Sequence, residues 1–304
     1  MQQTLDILHQ RARLFRQIRA FFDACGYLEV ETPLLNKSTN TDVHIQSIAA
    51  QVCGVTQYLQ TSPEFSMKRL LSAGSGSIYQ ICHAFRDEEH GRFHRAEFTL
   101  LEWYSVGFNY QMLMDQLQQL IEEIFPDPQS FKRIRYFDAF QVYLGVNPEV
   151  INQDELFQVV LQHIPGCQDL LLSRDDCLDL LISQVIVKQF EGFTFVYDYP
   201  ASQASLARLK IDKPEIAERF ELFYNETELA NGFTELTHAG EQRFRFLKDN
   251  EYRAKIGLPQ YPLDEEFLQS LETGIPDCAG VAVGLDRLLM ALLGVDDIQM
   301  VLSI

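Results

Sequence analysis

The sequence predicts an α+β fold with a mostly antiparallel sheet flanked by helices. Strand-like stretches lie toward both ends of the chain with a mostly helical stretch between them, which is segregation rather than strict β–α alternation. Two of those stretches, near 78–88 and 94–104, flank a polar segment containing Gly91 and read as one long antiparallel hairpin. Neither a repeat, a low-complexity tract nor a long Gly/Ser linker interrupts residues 1–304.

The elements follow in order. Residues 4–24 repeat apolar side chains at helical spacing (Ile7, Leu14, Ile18, Phe21, Phe22) and stop at Gly26, a plausible helix-ending glycine. Tyr27 to Thr32 alternates like a strand and halts at Pro33. After the hairpin, 111–125 is an amphipathic helix, and Pro126-Asp127-Pro128 is the best candidate for a subdomain break. Residues 151–192 read as a helical insertion. Strand-like runs return at 193–199, 219–236 and 279–285, before an apolar helix near 286–294.

The composition narrows the function. With 25 Lys+Arg against 43 Asp+Glu, the formal charge of the 304 residues is −18. So acidic a chain is a poor match for an extended phosphate backbone, which needs a basic face. A small polyanion held in one local site remains compatible. No apolar stretch approaches the ~20 residues that span a bilayer, and the N-terminus lacks a signal-peptide core, so no membrane association is expected. Six cysteines without Cys-x-x-Cys spacing fit a reducing cytoplasm and disfavour structural zinc.

Three segments carry candidate chemistry. Side chains of equal parity share a strand face, so one face of the hairpin bears Cys82, Ala84, Arg86 and Glu88 with Phe98, Leu100, Glu102 and Tyr104. Such a face is poor core material and suits a site better than a purely solvated surface. In ELANGFTEL (228–236), Glu228 and Glu235 lie seven apart, on opposite faces of a straight strand. A bulge or turn at Asn231-Gly232 could bring both to one side, where paired carboxylates hold a divalent cation. Spacing alone favours two surface glutamates flanking a loop. In GVAVGLDRLLMAL (280–292), Gly280, Ala282 and Gly284 leave room for a ligand against the strand. Arg287 falls in the first helical turn, where the dipole disfavours a cation unless an anion is near. An exposed arginine there would cost little. No Gly-x-x-x-x-Gly-Lys-Ser/Thr loop is present, and His90 and His94 span Gly91, a poor setting for a helical zinc pair.

Together these segments resemble the three signature motifs of class II aminoacyl-tRNA synthetases. The first is the helix and strand ending at Pro33, the second is FRDEEHGRFHRAEFTLLEWY (85–104), and the third is the Gly-x-Asp-Arg strand and helix at 284–287. Within the class, TSPEF (61–65) and ELANGFTEL look like the lysyl branch. The Met-Lys-Arg-Leu-Leu run at 67–71, PASQASLA (200–207) and PDCAGVA (276–282) are most similar to the members of that branch that lack the anticodon-binding domain. The resemblance implies a single class II catalytic domain over 1–304 with no N-terminal OB-fold, because the first motif begins almost at residue 1. It also implies a homodimer built on the first motif.

What else the resemblance implies is specific. The reaction would be ATP-dependent activation of (R)-β-lysine as an adenylate, with Mg²⁺ on the phosphates, and transfer to a lysine of elongation factor P in the cytoplasm, without stable tRNA binding. Arg86 and Arg287 would be catalytic. Arg86 would neutralise the α-phosphate while Glu88 and the backbone near Asp87 fix the adenine end. Phe98 and Arg287 would sandwich the adenine, and Glu228 and Glu235 would hold Mg²⁺. Leu229 and Gly284 would line the ATP site, and Arg95, standing where the family has asparagine, could reach a phosphate. Ser62, Pro63 and Glu64 would line the substrate end with Glu235, and Glu102 and Tyr104 would receive the distal ammonium. Ala282 replaces a glycine of the tRNA-charging members and would reshape the pocket toward a β-amino acid. The competing readings are a tRNA-charging enzyme of the same fold and an inactive regulatory paralogue. Retention of Arg86, Glu88, Phe98, Glu228, Glu235 and Arg287 together speaks against the second.

Overall fold

A computed structural model describes residues 2–87 and 89–302. The first helix, α1 (Gln2–Ala24), ends at Gly26, whose φ of 75° is the left-handed geometry that glycine adopts without strain. The chain then forms a two-residue strand, β1 (Leu28–Glu29), shorter than the six-residue alternation predicts. Short strands β2 (Leu35–Asn36), β3 (Ala49–Val52) and β4 (Val55–Leu59) make a separate antiparallel sheet in the order β2-β4-β3. Sequence patterning does not reveal that sheet, because its strands are two to five residues long, too short for a period to show.

Helix α2 (Glu64–Ser72) leads into the expected hairpin, β5 (Ile78–Phe85) and β6 (Glu97–Val106), antiparallel in register from Ile78 opposite Tyr104 to Phe85 opposite Glu97. Helix α3 (Tyr110–Ile124) is capped by Asn109, whose side chain accepts from the Met112 amide. Pro126-Asp127-Pro128 is a turn, not a subdomain break: it leads into β7 (Phe131–Arg135), an edge strand of the main sheet. The helical stretch comprises α4 (Tyr136–Leu144), α5 (Gln153–His163) and α6 (Arg174–Leu181), the last running on through a π turn at Ile182–Ile186. Strand β8 (Phe193–Pro200) follows. The predicted run at 219–236 is two strands, β9 (Ile216–Tyr224) and β10 (Thr227–Thr234), joined at Asn225-Glu226 with Asn225 at a φ of 51°. Helices α7 (Ala239–Lys255) and α8 (Glu265–Thr273), absent from the sequence prediction, precede β11 (Cys278–Gly284) and α9 (Leu285–Leu293).

The main sheet has eight strands in the order β1-β5-β6-β11-β10-β9-β8-β7, antiparallel except where β1 meets β5 and β7 meets β8. The α+β expectation therefore holds. One face carries the larger core: Tyr79, Leu101, Trp103, Phe220, Leu222, Val281 and Val283 pack on α1, α3 and α9. Phe22 anchors it, stacked on Tyr79 at 4.5 Å and edge-on to Trp103 at 5.2 Å. The opposite face is covered only at its flanks. Helices α2, α7 and α8 close one side through Met67, Phe246 and Phe267, and α4–α6 close the other through Phe140, Leu156 and Leu178. Between the two flanks lie polar side chains of β6, β11, β10 and β9, and this strip is the site.

Candidate active site

At one end of the strip, buried acids surround a buried lysine. Helix α2 places Glu64 and Lys68 one turn apart, with the ammonium 2.6 Å from Glu64 Oε1. Lys68 also pairs with Glu235 Oε2 at the end of β10. Just before α2, at the helix entrance formed by Pro63, the Ser62 hydroxyl donates to Glu102 Oε2 at 2.7 Å and accepts from the Glu64 amide at 3.1 Å. The Tyr104 hydroxyl donates to the other Glu102 oxygen at 2.7 Å. Burial and nearby Glu64 push the Glu102 carboxyl up to about 7, against the two hydroxyl donors. Burial likewise pushes Glu235 up to about 8 despite Lys68. Burial alone would lower the Lys68 ammonium, but Glu235 and Glu64 together raise it.

The sheet fixes this constellation by register. Glu102 stands opposite Ala282, which stands opposite Asn231 on its other side, so β6, β11 and β10 present these three on one face. Gly280 does not leave space for a ligand as the sequence suggests. A Cβ there would collide with the Tyr104 ring and with Glu235 Oε1, so its missing side chain makes room for the pocket's own wall. Space remains at Ala282, which is partly exposed, and at Gly284. A Cβ on Gly284 would meet only Arg287 at 3.8 Å and the Leu229 carbonyl at 3.9 Å.

The other end of the strip holds the arginines. Arg86 lies over the Phe98 ring at 5.1 Å, and its buried Nε has no hydrogen-bond partner. The resemblance has Phe98 and Arg287 sandwich the adenine; in the ligand-free chain it is Arg86 that lies over the Phe98 ring. Arg287 instead donates to the carbonyls of Phe93 and Glu228, both at 3.0 Å, with the Glu228 carboxylate at 3.9 Å. Those acceptors answer the conflict between Arg287 and its helix dipole without an added anion. Arg95 is engaged by its own loop, donating to the Gly91 and His94 carbonyls at 2.8 Å. The Asp87 amide donates to Gln46 and ties the hairpin to the small sheet, while Glu88 lies outside the described residues.

The joint metal pair Glu228–Glu235 requires correction. A bulge does bring both onto one face, but at Glu228/Ala230 rather than at Asn231-Gly232. Seven residues of strand still separate them by about 20 Å, so one ion cannot bridge both. The nearer partner of Glu228 is Glu221 on β9, a residue that lies in none of the three motifs. Glu221 accepts from the Tyr199 hydroxyl at 2.7 Å and pairs with half-buried Arg219, and burial with Glu228 nearby pushes its carboxyl up to about 7. Among the described residues, no cluster of three or more His, Cys, Asp or Glu is placed to hold a metal with protein ligands alone. Arg219 also donates to Asn231 Oδ1 at 3.2 Å. The alternation in ERFELFY (218–224) marks Arg219 and Glu221 as sharing a face, but their proximity to Glu228 depends on the bulge. Lys68 stands in the Met-Lys-Arg-Leu-Leu run at 67–71, which carries the resemblance and assigns this lysine no role.

A half-open antiparallel sheet with an acidic pocket at one end and two arginines at the other is the arrangement that the resemblance to class II synthetases implies. The family model for class II tRNA synthetases (D, K and N) matches residues 1–303, and the chain belongs to that family. It is 43% identical over 305 residues to the elongation factor P--(R)-beta-lysine ligase of Proteus mirabilis (strain HI4320), covering 97% of this chain and 94% of that protein. The ligase of the same name from Vibrio cholerae serotype O1 is 45% identical, with 97% of this chain and 93% of the relative covered. That of Avibacterium paragallinarum is 41% identical, with 99% and 95% covered.

Proposed function

We propose that this protein uses ATP to activate (R)-β-lysine as an adenylate and transfers the β-lysyl group to a lysine of elongation factor P. One observation carries the reading most directly. Glu64 and Glu235 pair with Lys68, and Glu102 stands close by on the hydroxyls of Ser62 and Tyr104; with its protons displaced, this set of three carboxylates against one ammonium leaves two negative charges for the two ammonium groups of a lysine isomer. The names of the relatives supply the isomer and the acceptor.

In the first step, the amino-acid carboxylate attacks the α-phosphorus and pyrophosphate leaves. The pocket anchors the amino acid by its ammonium groups, so that the carboxylate emerges from the acidic end toward Arg86. The Arg86 guanidinium, whose buried Nε carries no hydrogen bond and whose Nη1 lies only loosely on Glu89 at 3.4 Å, would turn to an α-phosphate oxygen, where developing charge is greatest. Phe98 supplies an aromatic face for adenine once Arg86 turns to the phosphate. Glu221 and Glu228 would be the residues to hold Mg²⁺, since they share one face of neighbouring strands and the cost of burying Glu221 beside Glu228 would be relieved by a cation. Bound there, the ion would neutralise the pyrophosphate. In the second step, the acceptor amine attacks the acyl carbon and AMP departs. Catalysis rests on positioning and charge stabilisation.

Exposed Leu8, Leu28 and Leu35 on α1, β1 and β2 support a homodimer through this first motif. All six cysteines are free, which supports a reducing cytoplasmic setting. Among the described residues, no helix is long and apolar enough to cross a membrane. ATP–pyrophosphate exchange with (R)-β-lysine and α-lysine, followed by mass spectrometry of elongation factor P, tests the function. Exchange with (R)-β-lysine and a mass gain of one lysyl residue on the factor are expected. Charging of bulk tRNA at a comparable rate, or no mass gain, would overturn the reading.

A further inference from the structure

Lys68 has no part in the chemistry described above, yet its position is specific. The side chain is fully buried, which an ammonium tolerates only when paired. It lies 2.6 Å from Glu64 and against Glu235, flanked by the rings of Phe233 and Phe267 at 5.5 and 5.7 Å. Glu102 is held differently, by the hydroxyls of Ser62 and Tyr104. A surface ion pair would need none of this enclosure. A pocket made only to bind cations would gain nothing from burying one of its own.

We propose that Lys68 is a specificity-determining positioning residue: its fixed ammonium satisfies one carboxylate charge of the pocket and leaves acidic capacity for two further ammonium groups. The pocket therefore selects an amino acid that carries two. An amino acid with a single ammonium leaves a buried carboxylate without a partner, the expensive case. Without Lys68, three carboxylates face one another, one keeps a proton, and Glu64 and Glu235 lose their common anchor. This inference rests on the ligase reading for the identity of the amino acid, and not for the charge count.

Calorimetric binding to the full chain reads the pocket without the chemistry, and pyrophosphate exchange reads the chemistry. Lys68→Met is expected to weaken both lysine isomers at least about tenfold, with the same rise in amino-acid KM and an ATP KM unchanged within about twofold. Norleucine, one ammonium short of α-lysine, is expected to bind the parent at least about a hundredfold more weakly than α-lysine. Methylammonium or ethylammonium is expected to restore lysine binding to Lys68→Ala saturably. A folded Lys68→Met that binds lysine as tightly as the parent, norleucine bound as tightly as lysine, or no rescue by either amine overturns the proposal. If the variants do not fold, NMR titration of labelled lysine side chains in the parent decides, because a neutral Lys68 at about pH 8 contradicts a fixed cation. A parent that binds the lysines without exchanging pyrophosphate overturns the ligase reading alone. A parent that exchanges, while Lys68→Met binds unchanged, overturns the charge count alone.

Discussion

Arg86 and Arg287 differ in what they already hold. Arg287 is fixed by two carbonyls, whereas Arg86 has a buried Nε with no partner and lies on Phe98. Replacing either with alanine is expected to lower pyrophosphate exchange by at least about a hundredfold, the scale of one lost oxyanion contact. Arg287→Ala should also cost about 1 kcal/mol of stability through its two hydrogen bonds, and Arg86→Ala little. Urea titration beside the exchange assay separates the two effects. The carboxyls set the pH response. Glu102 sits at about 7 and Glu235 at about 8, so protons occupy them below neutrality and must leave before a dicationic amino acid binds. Affinity for the amino acid is expected to fall as pH drops below about 8, and more steeply below about 7, by up to tenfold per unit for each proton displaced. The folding linkage has a related sign. Carboxyls raised above their unfolded values favour the folded state at acid pH, and that contribution is lost as pH rises from about 4.5 through 7 to 8. Thermal unfolding of the ligand-free protein across this range, with and without lysine, checks both statements. Ala282 lies between Glu102 and Asn231. Its change to glycine is expected to shift kcat/KM toward α-lysine by roughly ten- to two-hundredfold, the reach of one methyl group at close range.

At the scale of elements, the strip of polar residues exists because β6, β11, β10 and β9 lie side by side with one face uncovered. Strand β11 is the pivot. It is narrow at Gly280 so that Tyr104 and Glu235 can close the pocket above it. Gly280→Ala should therefore displace both side chains. The expected result is loss of detectable lysine binding by calorimetry with secondary structure retained by circular dichroism. Retained affinity would mean that the wall moves without consequence. The bulge in β10 is the second device, because it turns Glu228 onto the face shared by Glu221 and Asn231.

At the scale of the molecule, the helices on the back of the sheet give rigidity and the open face gives access. Leu8 and Leu28 of the first motif and Leu35 on the strand that follows it are exposed in the single chain, beside or on the parallel edge strand β1. Exposed apolar side chains beside a sheet edge are a liability that a partner copy would cover. Sedimentation at micromolar concentration is expected to show twice the mass of the 35.1 kDa chain. A monomer there would contradict the dimer.

The sequence by itself determined the parity of the strands and the identity of the charged residues on them. The hairpin face bearing Arg86, Phe98, Glu102 and Tyr104 was legible, since alternation is a property of one strand and needs no partner. The helix positions of α1, α3 and α9 were legible for the same reason. Only the tertiary structure decided which charges meet. Lys68 is one charged residue of the Met-Lys-Arg-Leu-Leu run until α2 docks and Glu235, 167 positions later, closes on it. Glu221 becomes the neighbour of Glu228 only through the phase of a bulge, and Gly280 is small for Tyr104 and Glu235 rather than for a ligand. Periodicity is local, whereas pairing across strands is fixed by the register and packing of distant segments, and the charge balance of the pocket resides in that pairing.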